Sequence, residues 1–271
     1  MPFIETRDGA ALFYNDVGAG KPVVLIHGWP FNSDMWEYQT TVLAGSGLRC
    51  ISYDRRGFGR SSQPWTGYDY DTFADDLADV LDKLDLNGVT LVGFSMGGGE
   101  IARYLSRHGA GRIAKTVLVS CVTPFLLKTD DHPEGVDAST FDQMVEGLTK
   151  DRPQFLTKFA PDFYGNSLLD QKASPGILQW SLMMAMVASP KATLDCVRAF
   201  SATDFRADMA AFTMPTLVIH GTADKTVPID VAGKAAAAAI PGSTFITYEG
   251  EPHGLFFTSK DRLNADLLGF I

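Results

Sequence analysis

One stretch, Val89 to Glu100, limits most sharply what this chain can fold into. Val89-Thr90-Leu91-Val92 is β-branched and apolar and predicts a buried strand. Gly93-Phe94-Ser95-Met96-Gly97 follows, a G-x-S-x-G pattern, and a helical pattern begins at once. A strand that turns directly into a helix holds its apex residue in a strained conformation. Glycines two residues before and after the apex let the two backbones approach without Cβ clashes. The apex here is a serine, at the carboxyl end of a strand and the positive end of a helix, where a developing anion is favoured.

The strand–helix alternation recurs along the chain. Phe3–Arg7 and Ala11–Asn15 flank the turn signal Asp8-Gly9 and predict a hairpin, which would form an antiparallel edge. Val23–Ile26, Leu48–Tyr53, Ile113–Ser120, Thr216–His220 and Phe245–Tyr248 read as further strands. Helices are expected from Ser33 as N-cap to about Ala44, from Asp71 as N-cap through Leu84, and over Ile229–Ile240. A capping box of Thr258 and Asp261 would open a final helix. In the second of these, Phe73, Leu77, Val80, Leu81 and Leu84 share one face, and Asp75, Asp76, Asp79 and Asp82 are expected on a solvated acidic face.

From about Val122 to Phe212 the alternation stops. That block is helical in flavour, rich in aromatics and methionines, and cut by Pro124, Pro133, Pro153, Pro161, Pro175 and Pro190. An apolar insertion of this kind is a candidate lid over a pocket. The expected architecture is α/β: a mostly parallel eight-stranded sheet flanked by helices, with residues 1–121 and 212–271 as core and residues 122–211 as a helical cap inserted after the sixth strand.

A length of 271 residues, 45% hydrophobic and 20% charged, suits one large domain. The net charge of -9 argues against a nucleic-acid partner, which needs clustered Lys and Arg. Cys50, Cys121 and Cys196 lack metal-ligand spacing and read as buried reduced thiols. No apolar run reaches membrane-spanning length and no signal-peptide core is visible, so a cytoplasmic location is expected.

In sheets of this type the chemistry gathers at the carboxyl ends of the strands. Trp29, Ser95, Asp224 and His253 all fall at such ends. A serine hydroxyl needs a base to become a nucleophile, and a neutral imidazole needs a carboxylate to orient it. His253 and Asp224 are placed for those roles, and the order Ser, Asp, His is the one this architecture predicts. The backbone N–H groups of Trp29 and Met96 are the expected oxyanion donors. The other histidines have plainer roles: His27 shapes a turn, His220 lies in a strand, His108 closes a helix and His132 sits in a loop of the insertion. Asp54 is expected in a structural salt bridge with the arginines beside it, Arg55 and Arg56.

These residues resemble a known family. His27-Gly28-Trp29-Pro30, Tyr53 to Ser62, Gly93 to Glu100, His220 to Asp224 and Pro252-His253-Gly254 are similar to the matching blocks of serine α/β-hydrolases. Specifically, they resemble the aryl esterase, cofactor-free (non-haem) haloperoxidase (perhydrolase) and γ-lactamase group. The resemblance implies a Ser95, Asp224, His253 triad with no metal, haem or other cofactor. It implies cleavage of small aryl or short-acyl esters through an acyl-enzyme, with peracid formed when hydrogen peroxide replaces water. It also implies a homo-oligomer (dimer, trimer or hexamer). Trp29, Pro30, Phe94, Val122, Phe125, Phe159 and Val227 are expected to line the pocket. Pro30 stands where several aryl esterases have leucine. It is expected either to re-aim the Trp29 carbonyl toward peroxide or simply to stiffen a turn. Hydrolysis of a γ-lactam or amide, and a ligand-sensing receptor with slow turnover, are the alternatives; a serine at 95 speaks against relatives of this fold that use an aspartate nucleophile.

Overall fold

The computed structural model describes residues 2–271. Eight strands form one sheet: β1 (Phe3–Glu5), β2 (Ala11–Gly18), β3 (Lys21–Ile26), β4 (Leu48–Tyr53), β5 (Val89–Phe94), β6 (Ile113–Val119), β7 (Thr216–Gly221) and β8 (Thr244–Tyr248). Their order is β1-β2-β4-β3-β5-β6-β7-β8. β1 pairs antiparallel with β2, and β2 with β4; all the other pairs are parallel. Side chains alternate across a strand, so each central strand feeds two cores. Val24, Ile26, Leu91 and Leu118 pack on one face; Val23, Leu25, Val92, Val117 and Ile219 pack on the other. Every one of them is buried, which accounts for the continuous apolar runs in the sequence.

The helices are α1 (Glu37–Gly45), α2 (Tyr70–Lys83), α3 (Met96–His108), α4 (Ala138–Phe163), α5 (Pro175–Met186), α6 (Pro190–Ala202), α7 (Gly233–Ala239), α8 (Leu255–Thr258) and α9 (Lys260–Phe270). α2 packs beside α3 and α1 beside α9, in separate layers. α4, α5 and α6 lie between β6 and β7 and form the inserted helical block. Its prolines start helices rather than only ending them. Pro175 and Pro190 follow Ser174 and Ser189, whose side chains accept from Ile177 N–H and Ala192 N–H. α4 breaks at Asp151, which has φ -159° and ψ 84°, and its carboxylate caps Gln154 N–H at 3.0 Å.

Several local expectations need correcting. α2 is capped by Asp69, which accepts Thr72 N–H at 2.9 Å, while Asp71 sits in the first turn and pairs with Arg103 and Arg107. The acidic face of α2 is only partly solvated: Asp76 is buried against Arg56 at 2.6 Å and Asp79 against Arg7 at 2.9 Å. Arginines supplied from distant parts of the chain cover what the helix alone would leave in water. Ser33 opens a short 3₁₀ turn capped by Asn32, and α1 begins only at Glu37. α7 spans only Gly233–Ala239, four residues short of the expected start at Ile229, because Ala232 is non-helical at φ -120° and ψ -90°. Thr258 ends α8 and donates to Glu251 at 2.6 Å, so it does not cap α9.

Candidate active site

Ser95 joins β5 to α3 at φ 54° and ψ -117°, a left-handed conformation for a non-glycine residue. Such backbone costs on the order of 1–3 kcal/mol and persists only where the surroundings fix it. Ser95 N–H donates to Val119 O at 2.9 Å, while Ser95 O accepts from Gly98 N–H at 3.1 Å and Val122 N–H at 3.3 Å. A Cβ on Gly93 would meet Gly97 O at 2.7 Å, and one on Gly97 would meet Ile26 O at 2.7 Å. The motif glycines are thus set by backbone approach.

His253, in the turn between β8 and α8, places Nε2 2.9 Å from Ser95 Oγ. Its Nδ1 lies 2.6 Å from Asp224 Oδ2. A carboxylate accepts, so Nδ1 carries the proton and Nε2 faces the serine as a free base. Asp224 Oδ1 accepts the N–H groups of Thr226 at 2.9 Å and Val227 at 2.8 Å. Burial alone would raise the Asp224 carboxyl; the His253 and His220 imidazoles reverse this and hold it well below the usual carboxylate range. The rings of Phe94 and Phe163, at 4.9 and 5.0 Å, wall the imidazole.

Trp29 follows β3 and Met96 opens α3. Among the described residues no group accepts the backbone N–H of either. The Trp29 indole donates to Thr193 O on α6 at 3.0 Å and meets Phe159 and Phe200 edge-on, each at 5.9 Å, fixing the β3 loop against the helical block.

Ser95 and His253 open into a cavity of ≈580 Å³, a size suited to a small organic ligand. Trp29, Val122, Leu126, Phe141, Met144, Phe155, Phe159, Phe200 and Val227 supply apolar lining; Thr140, Gln143, Asp162, Lys225 and Thr226 add polar groups. Among the described residues no group of three or more His, Cys, Asp or Glu side chains is arranged to hold a metal ion.

A family model described as the alpha/beta hydrolase fold matches residues 21–260. The chain belongs to the α/β-hydrolase family. It is 48% identical to a putative non-heme chloroperoxidase from Synechocystis, over 100% of both chains. It is 40% identical to a bifunctional esterase/perhydrolase from Acinetobacter calcoaceticus, over 100% of this chain and 99% of the relative. The crystal structure of a bromoperoxidase from Bacillus anthracis superimposes with a TM-score of 0.95 at 48% identity, covering 99% of this chain and 98% of that one.

Within this α/β-hydrolase, Ser95, Asp224, His253, Trp29 and Met96 come together at one sheet edge. Of the expected pocket residues, Trp29, Val122, Phe159 and Val227 line the cavity, and Pro30, Phe94 and Phe125 do not. Pro30, joined to Trp29 by a cis peptide, faces a separate small cleft with Leu156 and Phe163. Phe94 lies outside the cavity lining and packs between the His253 ring and the rings of Trp36 and Phe256. Phe125 lies under His132 and Arg206. Asp54 does form a salt bridge, but with Arg60; Arg55 turns to Glu100 and Arg56 to Asp76 and Asp8. His220 lies in β7, and its Nε2 donates to Val227 O at 2.9 Å and rests 3.3 Å from Asp224 Oδ2. That second contact was not evident in the sequence, although the i, i+4 spacing of His220 and Asp224 around a strand end was a usable signal. Thr140, Gln143, Phe141, Met144 and Phe155 of α4 gave no such signal, because nothing local says which face of that helix looks inward.

Proposed function

We propose that this α/β-hydrolase is a serine esterase for small carboxylic esters that also makes peracids from hydrogen peroxide. The observation that carries the reading is the 2.9 Å approach of the unprotonated His253 nitrogen to Ser95 Oγ on the floor of an apolar cavity. His253 takes the Ser95 proton as Oγ attacks the ester carbonyl. The backbone N–H groups of Trp29 and Met96 take the developing oxyanion. His253 then protonates the departing alcohol and an acyl-serine remains. Asp224 holds the imidazole in the required tautomer and stabilises its charged form.

Water, activated by the same base, releases the carboxylic acid. With hydrogen peroxide in its place the product is the peracid, which oxidises bromide to hypobromite in solution and returns the acid. The names of relatives as chloroperoxidase and esterase/perhydrolase support this second outcome. The small apolar lining supports aryl and short-acyl substrates. The three buried unpaired cysteines speak for a cytoplasmic location. Leu168, Leu169, Met183 and Val187, exposed on the helical block, speak for a homo-oligomer, and sedimentation of the wild-type chain as a monomer would remove that part.

Steady turnover of p-nitrophenyl acetate should fall by about 10³-fold or more in Ser95→Ala. Dye bromination should require both peroxide and a carboxylic acid and be indifferent to chelator. Bromination without the acid, or its arrest by chelator, overturns the acyl-enzyme route. Pro30→Leu should shift the partition from peroxide toward water, and an unchanged partition leaves Pro30 as a turn residue only.

A further inference from the structure

Two blocks singled out in the sequence, Tyr53–Ser62 and Gly93–Glu100, contain charged residues that the proposed reaction does not use. They meet in the interior. Arg55, Glu100 and His27 are each 0% exposed. Arg55 Nε and Nη2 reach Glu100 Oε2 at 2.7 and 2.6 Å, and the Tyr53 hydroxyl donates to Glu100 Oε1. Glu100 lies on α3, just over one turn from Met96. In the other direction, Arg55 Nη2 donates to the His27 carbonyl at 2.9 Å, and Arg55 N–H donates to His27 Nε2 at 2.9 Å. His27 Nδ1 must then carry the proton, which it gives to Gly28 O at 2.9 Å. The next residue is Trp29. One hydrogen-bonded chain therefore runs from the helix that begins with Met96 to the loop that holds Trp29.

Stability alone is a poor reason for such a pair, because two buried charges lose hydration that a well-packed apolar pair would not. A rigid, directional link is what an apolar pair cannot supply. We propose that Glu100 and Arg55 are positioning residues for the oxyanion site, fixing the distance between the Trp29 and Met96 N–H groups. The inference rests on the reading of those two groups as the oxyanion donors. The neutral state of His27 fits: burial first, then the Arg55 charge, push its pKa down to about 3, so its two ring nitrogens keep distinct donor and acceptor roles.

The test uses the full chain with Tyr53→Phe, Arg55→Met and Glu100→Leu combined, which leaves no unpaired charge from the pair in the core. The readouts are the unfolding midpoint, kcat and KM for p-nitrophenyl acetate, and the inhibition constant of an aryl boronic acid, which forms a tetrahedral anion on the serine. The expected result is a folded protein with kcat down at least tenfold, KM within twofold, and boronate binding weakened by the same factor as kcat. A folded variant with kcat and boronate binding within twofold of wild type overturns the inference. Should the triple variant not fold, Arg55→Lys decides. It keeps the charge on Glu100 but loses the second arm to His27, so kcat and boronate affinity should drop together by at least threefold; both within twofold of wild type again overturns it. If instead the boronic acid fails to inhibit the wild type, or Ser95→Ala keeps its turnover, the reading of the site itself has failed rather than the role of Glu100 and Arg55.

Discussion

Two aspartates leave the sheet at the same edge, Asp54 after β4 and Asp224 after β7. Both are buried, and both carboxyls are held below their usual range against the opposing effect of burial. Asp54 accepts Ser33 N–H at 2.9 Å, Ser33 Oγ–H at 2.6 Å, Arg60 N–H at 2.8 Å and Arg60 Nε–H at 2.8 Å. Asp224 accepts two backbone N–H groups and the His253 Nδ1–H. The difference lies in the partner. The Arg60 guanidinium stays protonated and passes nothing on. The His253 imidazole has a second nitrogen, and that nitrogen touches Ser95. A strand-end carboxylate becomes part of a reactive site only when its partner can release a proton; otherwise it locks a loop.

The sharpest way to break this contrast is to neutralise each carboxylate. Asp224→Asn should lower kcat by about 10⁴-fold with the fold intact, because the imidazole then adopts the wrong tautomer. Asp54→Asn should leave kcat within about threefold while lowering stability by about 1–3 kcal/mol, since buried donors lose a charged acceptor. Steady-state kinetics and denaturant unfolding separate the two, and a folded Asp54→Asn enzyme as inactive as Asp224→Asn would erase the distinction.

A smaller effect sharpens what the two sites share. Each carboxyl has a lower pKa in the folded state than in the unfolded chain, whose carboxyls titrate near pH 4. As pH falls through about 4 the unfolded chain binds protons that the native state refuses, so stability is full above that range and declines below it. Unfolding midpoints followed from pH 5 downward should decline less steeply in either Asn variant than in wild type. Parallel slopes would mean that the carboxyls are not held ionised by the fold.

The smallest effect concerns His220, which approaches the same Asp224 oxygen as His253 and anchors the Val227 carbonyl. His220→Leu should lower kcat by about tenfold or less with KM unchanged, and His220→Gln, which keeps a donor, should restore most of it. No change in kcat for His220→Leu would make the contact incidental.

The central parallel strands were legible because they are buried on both faces and so read as continuous apolar runs, as in Val23–Ile26 and Leu91–Val92. The approach of Ser95, Asp224 and His253 was legible because topology sends every strand's carboxyl end to one edge. What was not legible depends on partners far away in the chain. Asp76 and Asp79 look solvent-facing until Arg56 and Arg7 cover them. Arg55 looks like a partner for its neighbour Asp54 until Glu100 meets it in the core. Phe94 looks like pocket lining beside Ser95, yet it packs behind the His253 ring, against Trp36 and Phe256.

Ser95 alone is expected to take an acyl group, because His253 and Asp224 are placed to make its hydroxyl reactive. Diethyl p-nitrophenyl phosphate, which phosphorylates such hydroxyls, tests it when followed by intact-mass analysis and peptide mapping. The expected result is a single diethylphosphoryl group per chain on the peptide containing Ser95, esterase activity lost in proportion to its incorporation, and no incorporation in Ser95→Ala. Activity that survives full incorporation, or a label on another residue, would contradict it.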